Sequence, residues 1–301
     1  MNIAIIGAGN IGKTLGSKWK TAGHAVQYGV RTPADTVNDP GEYQAQNCEG
    51  DTCTFRNDES VPHGAVNLAR SLTVSSDYYY YQIGDILWLR RDEVGEEALQ
   101  DTARMFGFGH TTGIELGEER DGVVPTPERK IRNHEENPTA FPYGDWLSGD
   151  NINLSIGQGD LLVTPLQLAN AYGALANGGN VWRPHLATAV GDPVDQGIQV
   201  TERFDPALIG RYNLTPATRA PIVEGLVGVT SSGERTALRA FENNPPGYPV
   251  AGKTGTAQVS GKGNTSVFAG FGPVVPDHLP DYVAAAILEQ AGYGGDVAAP
   301  L

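Results

Sequence analysis

The chain has 301 residues, enough for one large domain or two ordinary ones at about 150 residues each. Hydrophobic residues make up 40%, which suffices for a buried core and excludes a disordered chain. Lys and Arg total 21 against 35 Asp and Glu, a formal net charge of −14, which argues against a nucleic-acid or anionic-membrane surface because both partners are polyanions. With 39 Gly and 20 Pro the chain is turn-rich, unlike a helical bundle.

Residues 2–6 read as a buried strand, not as a signal peptide: there is no basic start and no cleavage site, and the apolar run breaks at Gly7. No apolar run approaches the roughly 18 residues of a membrane span. Residues 11–22 read as a helix with Ile11, Leu15, Trp19 and Ala22 on one face, and Ala25–Val30 as a second strand. Residues 37–62 are polar and turn-rich. They include Cys48 and Cys53, which lack His or Cys neighbours at zinc spacing; a hairpin-closing disulfide and two free thiols both fit. Residues 64–84 carry a helical pattern interrupted at Ser75-Ser76-Asp77, and the four tyrosines from Tyr78 to Tyr81 must point in different directions. Residues 93–106 read as an amphipathic helix and 117–150 as a long acidic surface loop. Thr164-Pro165-Leu166-Gln167 is a helix start, with a capping threonine, proline at the first helical position and a capping-box glutamine. That helix runs to Asn177, another spans 215–229, and 249–259, 265–272 and 281–289 read as strands.

Gly7-x-Gly9-x-x-Gly12 between a strand and a helix is the dinucleotide fingerprint in its proper setting, where a helix N-terminus faces a pyrophosphate. Arg31 stands where an acidic residue would select NAD and would favour the 2′-phosphate of NADP. Residues 1–36, including Ala22-Gly23-His24 and Gly29-Val30-Arg31, resemble the start of NADP-dependent oxidoreductases. No second βαβ unit follows to carry the other nucleotide half, and so short a segment cannot bury a core of its own.

Residues 37–301 resemble the transpeptidase domain of class B penicillin-binding proteins. Five segments carry the likeness in family order. They are Phe55-Arg56-Asn57; Ala69-Arg70-Ser71-Leu72-Thr73-Val74-Ser75-Ser76-Asp77; Gly157-Gln158-Gly159-Asp160 running into Thr164-Pro165-Leu166-Gln167-Leu168-Ala169; Gly252-Lys253-Thr254-Gly255-Thr256-Ala257; and Gly294-Gly295-Asp296-Val297-Ala298-Ala299-Pro300. The resemblance implies an α/β (α+β) fold with a central antiparallel sheet flanked by helices, here preceded by a single Rossmann-like βαβ unit. It implies serine acyl transfer on peptidoglycan stem peptides ending in D-Ala-D-Ala, trapping by β-lactams, no cofactor and no metal. A cell-wall glycosyltransferase partner and a place at the extracytoplasmic face of the membrane are implied too, although the chain as given carries no export signal, anchor, pedestal or closing helix.

The resemblance also assigns roles. Ser75-Ser76-Asp77 matches the S-x-N motif with Asp in place of Asn; Ser75 would relay a proton and Asp77 would orient neighbouring lysines. Helix capping by Ser and Asp is the plain alternative. Lys253 would add positive charge beside Ser75. Thr254 and Thr256 would offer hydroxyls to a substrate carboxylate, Gly255 would leave room for the ligand, and the Thr256 N–H would serve an oxyanion. Gly157–Asp160 and the helix from Thr164 look like scaffold. The one literal S-x-x-K is Ser17-Lys18-Trp19-Lys20, with Ser17 as nucleophile and Lys20 as its base one helical turn away. It lacks the family's flanking prolines and falls inside the dinucleotide-type helix, so the chain reads as a junction near Thr32–Val37. The rival functions are an NADP-dependent oxidoreductase and a non-catalytic module that binds the peptide or β-lactam. Everything in the main reading requires the Val74-Ser75 segment and the Lys253 strand to face one groove.

Overall fold

The computed structural model describes residues 35–301, apart from 49, 213, 235, 238 and 260. The strand–helix–strand reading over residues 2–30, with Gly7, Gly9, Gly12, Arg31, Ser17 and Lys20, lies outside the described residues.

Strands β1 (Val37–Asp39), β2 (Glu42–Gln44), β3 (Thr54–Arg56) and β4 (Gly64–Val66) pair as two antiparallel ribbons, β1 with β4 and β2 with β3. Cys48 and Cys53 form a disulfide that closes the turn between β2 and β3, deciding between the two states that the spacing allows. The 64–84 pattern resolves into β4, α1 (Leu68–Thr73) and α2 (Asp77–Leu89), with the interruption at Ser75 as the corner between the helices. Tyr79 and Tyr81 are buried, Tyr78 and Tyr80 half-buried. The amphipathic segment divides at Gly95, whose φ of +99° ends a helix, into α3 (Arg91–Val94) and α4 (Ala98–Met105).

The expected loop over 117–150 needs correction, for it contains helix α5 (Pro127–Glu136) and the start of α6 (Ser148–Ser155). Thr126 caps α5 by accepting from Arg129 N–H, and Pro127 fills its first position. No side chain of α5 is buried, so it has no apolar stripe to read; Lys130 ties it to Asp150 of α6 at 2.7 Å. Helix α7 (Pro165–Ala176) starts as its sequence predicts, with the Thr164–Gln167 capping box formed. Four strands between residues 180 and 211 were not anticipated: β5 (Asn180–Trp182) pairs with β8 (Leu208–Arg211), and β6 (Ala189–Val194) with β7 (Gly197–Arg203).

Helix α8 (Pro216–Ser231) leads to the main sheet, β9 (Ala251–Ala257), β10 (Thr265–Gly272) and β11 (Tyr282–Leu288), which is antiparallel in the order β11-β10-β9. Helices flank it as expected: α7 packs on β10 and β11, α8 on β9, around Ala176, Val223, Leu226, Ala251 and Phe271. Helix α8 also crosses α1 closely. A Cβ at Gly225 would lie 2.4 Å from Ala69 O, and one at Gly228 would lie 2.1 Å from Thr73 Oγ1. Thr73 Oγ1 donates to Gly225 O at 3.0 Å, and Thr230 Oγ1 to Val250 O at 2.7 Å. One helix thereby fixes both the end of α1 and the start of β9. Among the described residues no helix is long and apolar enough to cross a membrane.

Candidate active site

Helix α1 ends in a Schellman turn. Ser76 N–H donates to Ser71 O at 2.9 Å and Ser75 N–H to Leu72 O at 3.3 Å. This geometry places Ser75 in the left-handed region at φ +57°, a position where glycine is the unstrained choice. Ser76, extended, then caps α2 by accepting from Tyr79 N–H. The capping and catalytic readings of Ser75-Ser76-Asp77 therefore fall on different residues: Ser76 caps, while Ser75 projects from the corner.

What it meets is Lys253. The Lys253 Nζ donates to Ser75 Oγ at 2.8 Å and to Thr254 O at 2.8 Å. An ammonium has donors only, so Ser75 Oγ is the acceptor and its own proton remains available to another group. Burial lowers the Lys253 pKa to about 8, opposed by the negative field of Asp77. Burial raises the Asp77 pKa to about 6, opposed by Lys253, while Asp58 and Asp39 add to the rise. The corner and the strand thus present a half-buried carboxylate and ammonium that titrate on either side of neutrality, with a hydroxyl held at the ammonium.

The other strand residues divide by alternation. Lys253 and Gly255 share one face of β9, Thr254 and Thr256 the other. Thr254 Oγ1 shares a hydrogen bond with Thr236 Oγ1 at 2.8 Å, and Thr256 Oγ1 accepts from Gly294 N–H at 3.4 Å. Gly255 lies opposite Val267. The turn Gly294–Ala298 packs on the threonine face so tightly that a Cβ at Gly294 would fall 2.3 Å from Gly255 O. Gln158, read from sequence as scaffold, reaches Thr256 O through Nε2 at 3.4 Å. The Gly157-Gln158-Gly159 pattern was its only signal; Thr236 carried none. No group of three or more His, Cys, Asp or Glu able to hold a metal occurs among the described residues. Ser17, Lys20, Gly7, Gly9, Gly12 and Arg31 lie outside them.

Comparison with known proteins gives a family match over residues 17–301, to the penicillin binding protein transpeptidase domain. The chain is 35% identical over 286 residues to the peptidoglycan D,D-transpeptidase MrdA of Haemophilus influenzae, covering 90% of this chain and 40% of that one. It is similar to the crystal structure of Pseudomonas aeruginosa PBP2 in complex with WCK 5153, with a TM-score of 0.66 and 30% identity, covering 89% of this chain and 54% of that one. It is also similar to a chain of a peptidoglycan synthase complex that coordinates polymerization and crosslinking, with a TM-score of 0.65 and 28% identity over 97% of this chain and 44% of that one. The chain spans about 40% of the length of the curated relatives it matches. The oxidoreductase likeness of residues 1–36 finds no support among these relatives.

Proposed function

The chain belongs to the penicillin-binding protein transpeptidase domain family, and from that premise we propose that it is a serine acyltransferase for D-Ala-D-Ala stem peptides of peptidoglycan. The single observation that carries this reading is the 2.8 Å hydrogen bond from Lys253 to Ser75, which brings the two motif segments together.

In this reading Ser17 is the nucleophile and Lys20 its base. The serine oxygen attacks the carbonyl of the penultimate D-alanine and forms an ester, the peptide C–N bond breaks, and D-alanine leaves with a proton on its amine. The amine of a second stem peptide then attacks the ester, forms the crosslinking amide and returns the serine hydroxyl. Ser75 passes the proton between Lys20 and the departing amine, since its own hydrogen is free while Lys253 donates to its oxygen. Lys253 supplies positive charge for the substrate's terminal carboxylate. Thr254 and Thr256 would need to exchange their present partners for that carboxylate. A β-lactam, which has no leaving fragment to diffuse away, would stop at the ester.

Peptidoglycan lies outside the cytoplasmic membrane, and the Cys48–Cys53 disulfide is consistent with an oxidising compartment. The likeness to a peptidoglycan synthase complex supports a glycan-polymerising partner.

The test is labelling with a fluorescent penicillin, read by intact mass and by mapping the adduct. The expected result is one covalent adduct at Ser17, lost in Ser17→Ala. Absence of any adduct at saturating probe removes the acyltransferase. Reversible peptide binding that survives Ser17→Ala, without an adduct, would instead identify a non-catalytic binding module.

A further inference from the structure

The residues of the corner alternate. Ser75 accepts from Lys253 and the charge of Asp77 reaches Lys253, whereas the intervening Ser76 and the following Tyr78 are held by two residues outside the site, Asp39 and Asn57. Asp39, at the end of β1, is buried, 1% exposed. Its Oδ1 accepts from Gly41 N–H at 2.7 Å and Asn57 Nδ2 at 3.0 Å; its Oδ2 accepts from Asn57 Nδ2 at 2.9 Å and Ser76 Oγ at 2.5 Å. Asn57, also buried, donates through Nδ2 to Val61 O at 2.8 Å and accepts through Oδ1 from Tyr78 N–H at 2.9 Å.

We propose that Asp39 and Asn57 are positioning residues, which hold Ser76 and Tyr78 so that Ser75 and Asp77 face Lys253. A carboxylate is buried at little penalty only when its lone pairs are filled, and Asp39 has them filled by groups of fixed position. The hydroxyl that it holds belongs to the residue directly after Ser75. Fixing that side chain, together with the Ser76 N–H bond to Ser71 O, leaves Ser75 no route out of its left-handed conformation. The amide that Asn57 holds directly follows Asp77 and fixes the first turn of α2, from which the Asp77 carboxylate projects. Without these holds Ser75 would relax towards an extended backbone and carry its hydroxyl away from Lys253.

The inference rests on the acyltransferase reading only for its kinetic readout, so two measurements test it on the full chain. The first is the rate and affinity of acylation by fluorescent penicillin. Asp39→Ala should slow acylation roughly 10- to 100-fold with little change in penicillin affinity, as expected of misplacement by about an ångström. Ser76→Ala should act in the same direction, and the double variant should be no worse than the poorer single one. Asp58→Asn, which removes a carboxylate whose field also reaches Asp77 but which is not a partner of Asp39, should slow it far less. The second measurement needs no activity: NMR titration of the Lys253 amine, expected near pH 8 in the wild type and higher in Asp39→Ala and Ser76→Ala as water reaches it. If the wild type takes no penicillin, the acyltransferase reading falls and the titration alone decides the positioning role. If Asp39→Ala does not fold, Ser76→Ala decides it. An unchanged acylation rate and Lys253 titration in folded variants overturns the proposal, as does an Asp58→Asn effect equal to that of Asp39→Ala.

Discussion

The two walls that meet at the Lys253–Ser75 contact are built by opposite means. The corner wall is a set of side-chain hydrogen bonds to a buried carboxylate and carboxamide, closed over a serine at φ +57°. The strand wall is a main-chain ladder, β9 on β10, with the Gly294–Ala298 turn pressed against it. A ladder does not depend on which side chains it carries, so the strand wall should tolerate most substitutions and fail only where an added carbon meets backbone. The corner wall depends on individual polar atoms, so single substitutions there should change geometry before they change stability. Helix α8 serves both walls, through Gly225 and Gly228 on one side and Thr230 on the other.

The largest expected effect comes from removing the group the walls share. Lys253→Ala should reduce penicillin acylation by roughly 10²- to 10³-fold, the range for losing a preorganised electrostatic donor, in a stopped-flow labelling assay. In the wild type the same assay should give a bell-shaped pH profile with limbs near 6 and 8, the pKa values of Asp77 and Lys253. Below the lower limb Asp77 becomes neutral and Lys253 loses its counter-charge; above the upper limb Lys253 loses the charge itself. Stability should run the other way. The raised Asp77 pKa favours the folded state below pH 3.8, a contribution lost as pH rises towards 6. The lowered Lys253 pKa favours it above pH 10.5, a contribution lost as pH falls towards 8. The doubly charged pair present at neutral pH is therefore the least stable form of these two groups, and urea midpoints across pH should show it. A flat acylation profile would mean that neither wall controls the reaction through charge.

The strand wall should break at Gly294. A Cβ there would lie 2.3 Å from Gly255 O and 2.4 Å from Val267 O, both backbone atoms, so the turn or the strand must move. Gly294→Ala should cost about 3 kcal/mol in chemical denaturation, the upper end for overpacking, and should weaken labelling as β9 shifts. The disulfide tests the edge of the corner wall. Replacing both Cys48 and Cys53 by Ser should cost about 2 kcal/mol, as expected for closing so short a loop. Labelling should persist, because Asn57 is held by Gly41 O, Asp39 and Val61 O and not by the hairpin turn. Lost labelling would extend the corner wall to the β2–β3 hairpin.

The same contrast decides what could be read from the sequence. The β9, β10 and β11 strands and the α7 start were legible because short strand-like runs set off by turn residues and the Thr164–Gln167 box are local signals. Ser75 and Lys253 were legible as motif members, yet their contact joins residues 178 positions apart and no spacing rule supplies it. Asp39 was invisible: its partner Ser76 is 37 residues away, and an acidic residue in a polar stretch looks like a solvated one. The β6–β7 hairpin gave no signal because every residue of β7 is exposed and neither face is selected for burial. Helix α5 was hidden for the same reason, although Thr126-Pro127-Glu128 opens it much as Thr164-Pro165 opens α7. A start signal without an apolar stripe does not announce a helix.

That pair of helix starts supplies the smallest and most local test. Thr126→Ala removes one cap and should cost about 1 kcal/mol or less, read as faster amide exchange in the first turn of α5, chiefly at Arg129. Penicillin labelling should not change, because α5 belongs to neither wall. It is tied through Lys130 to Asp150 at the start of α6, and α6 packs on α2, the helix that carries Asp77. If fraying α5 did slow acylation, the disturbance would have travelled by that route. The corner would then be supported along the whole of α2, and Asp39 and Asn57 would be only part of what holds it.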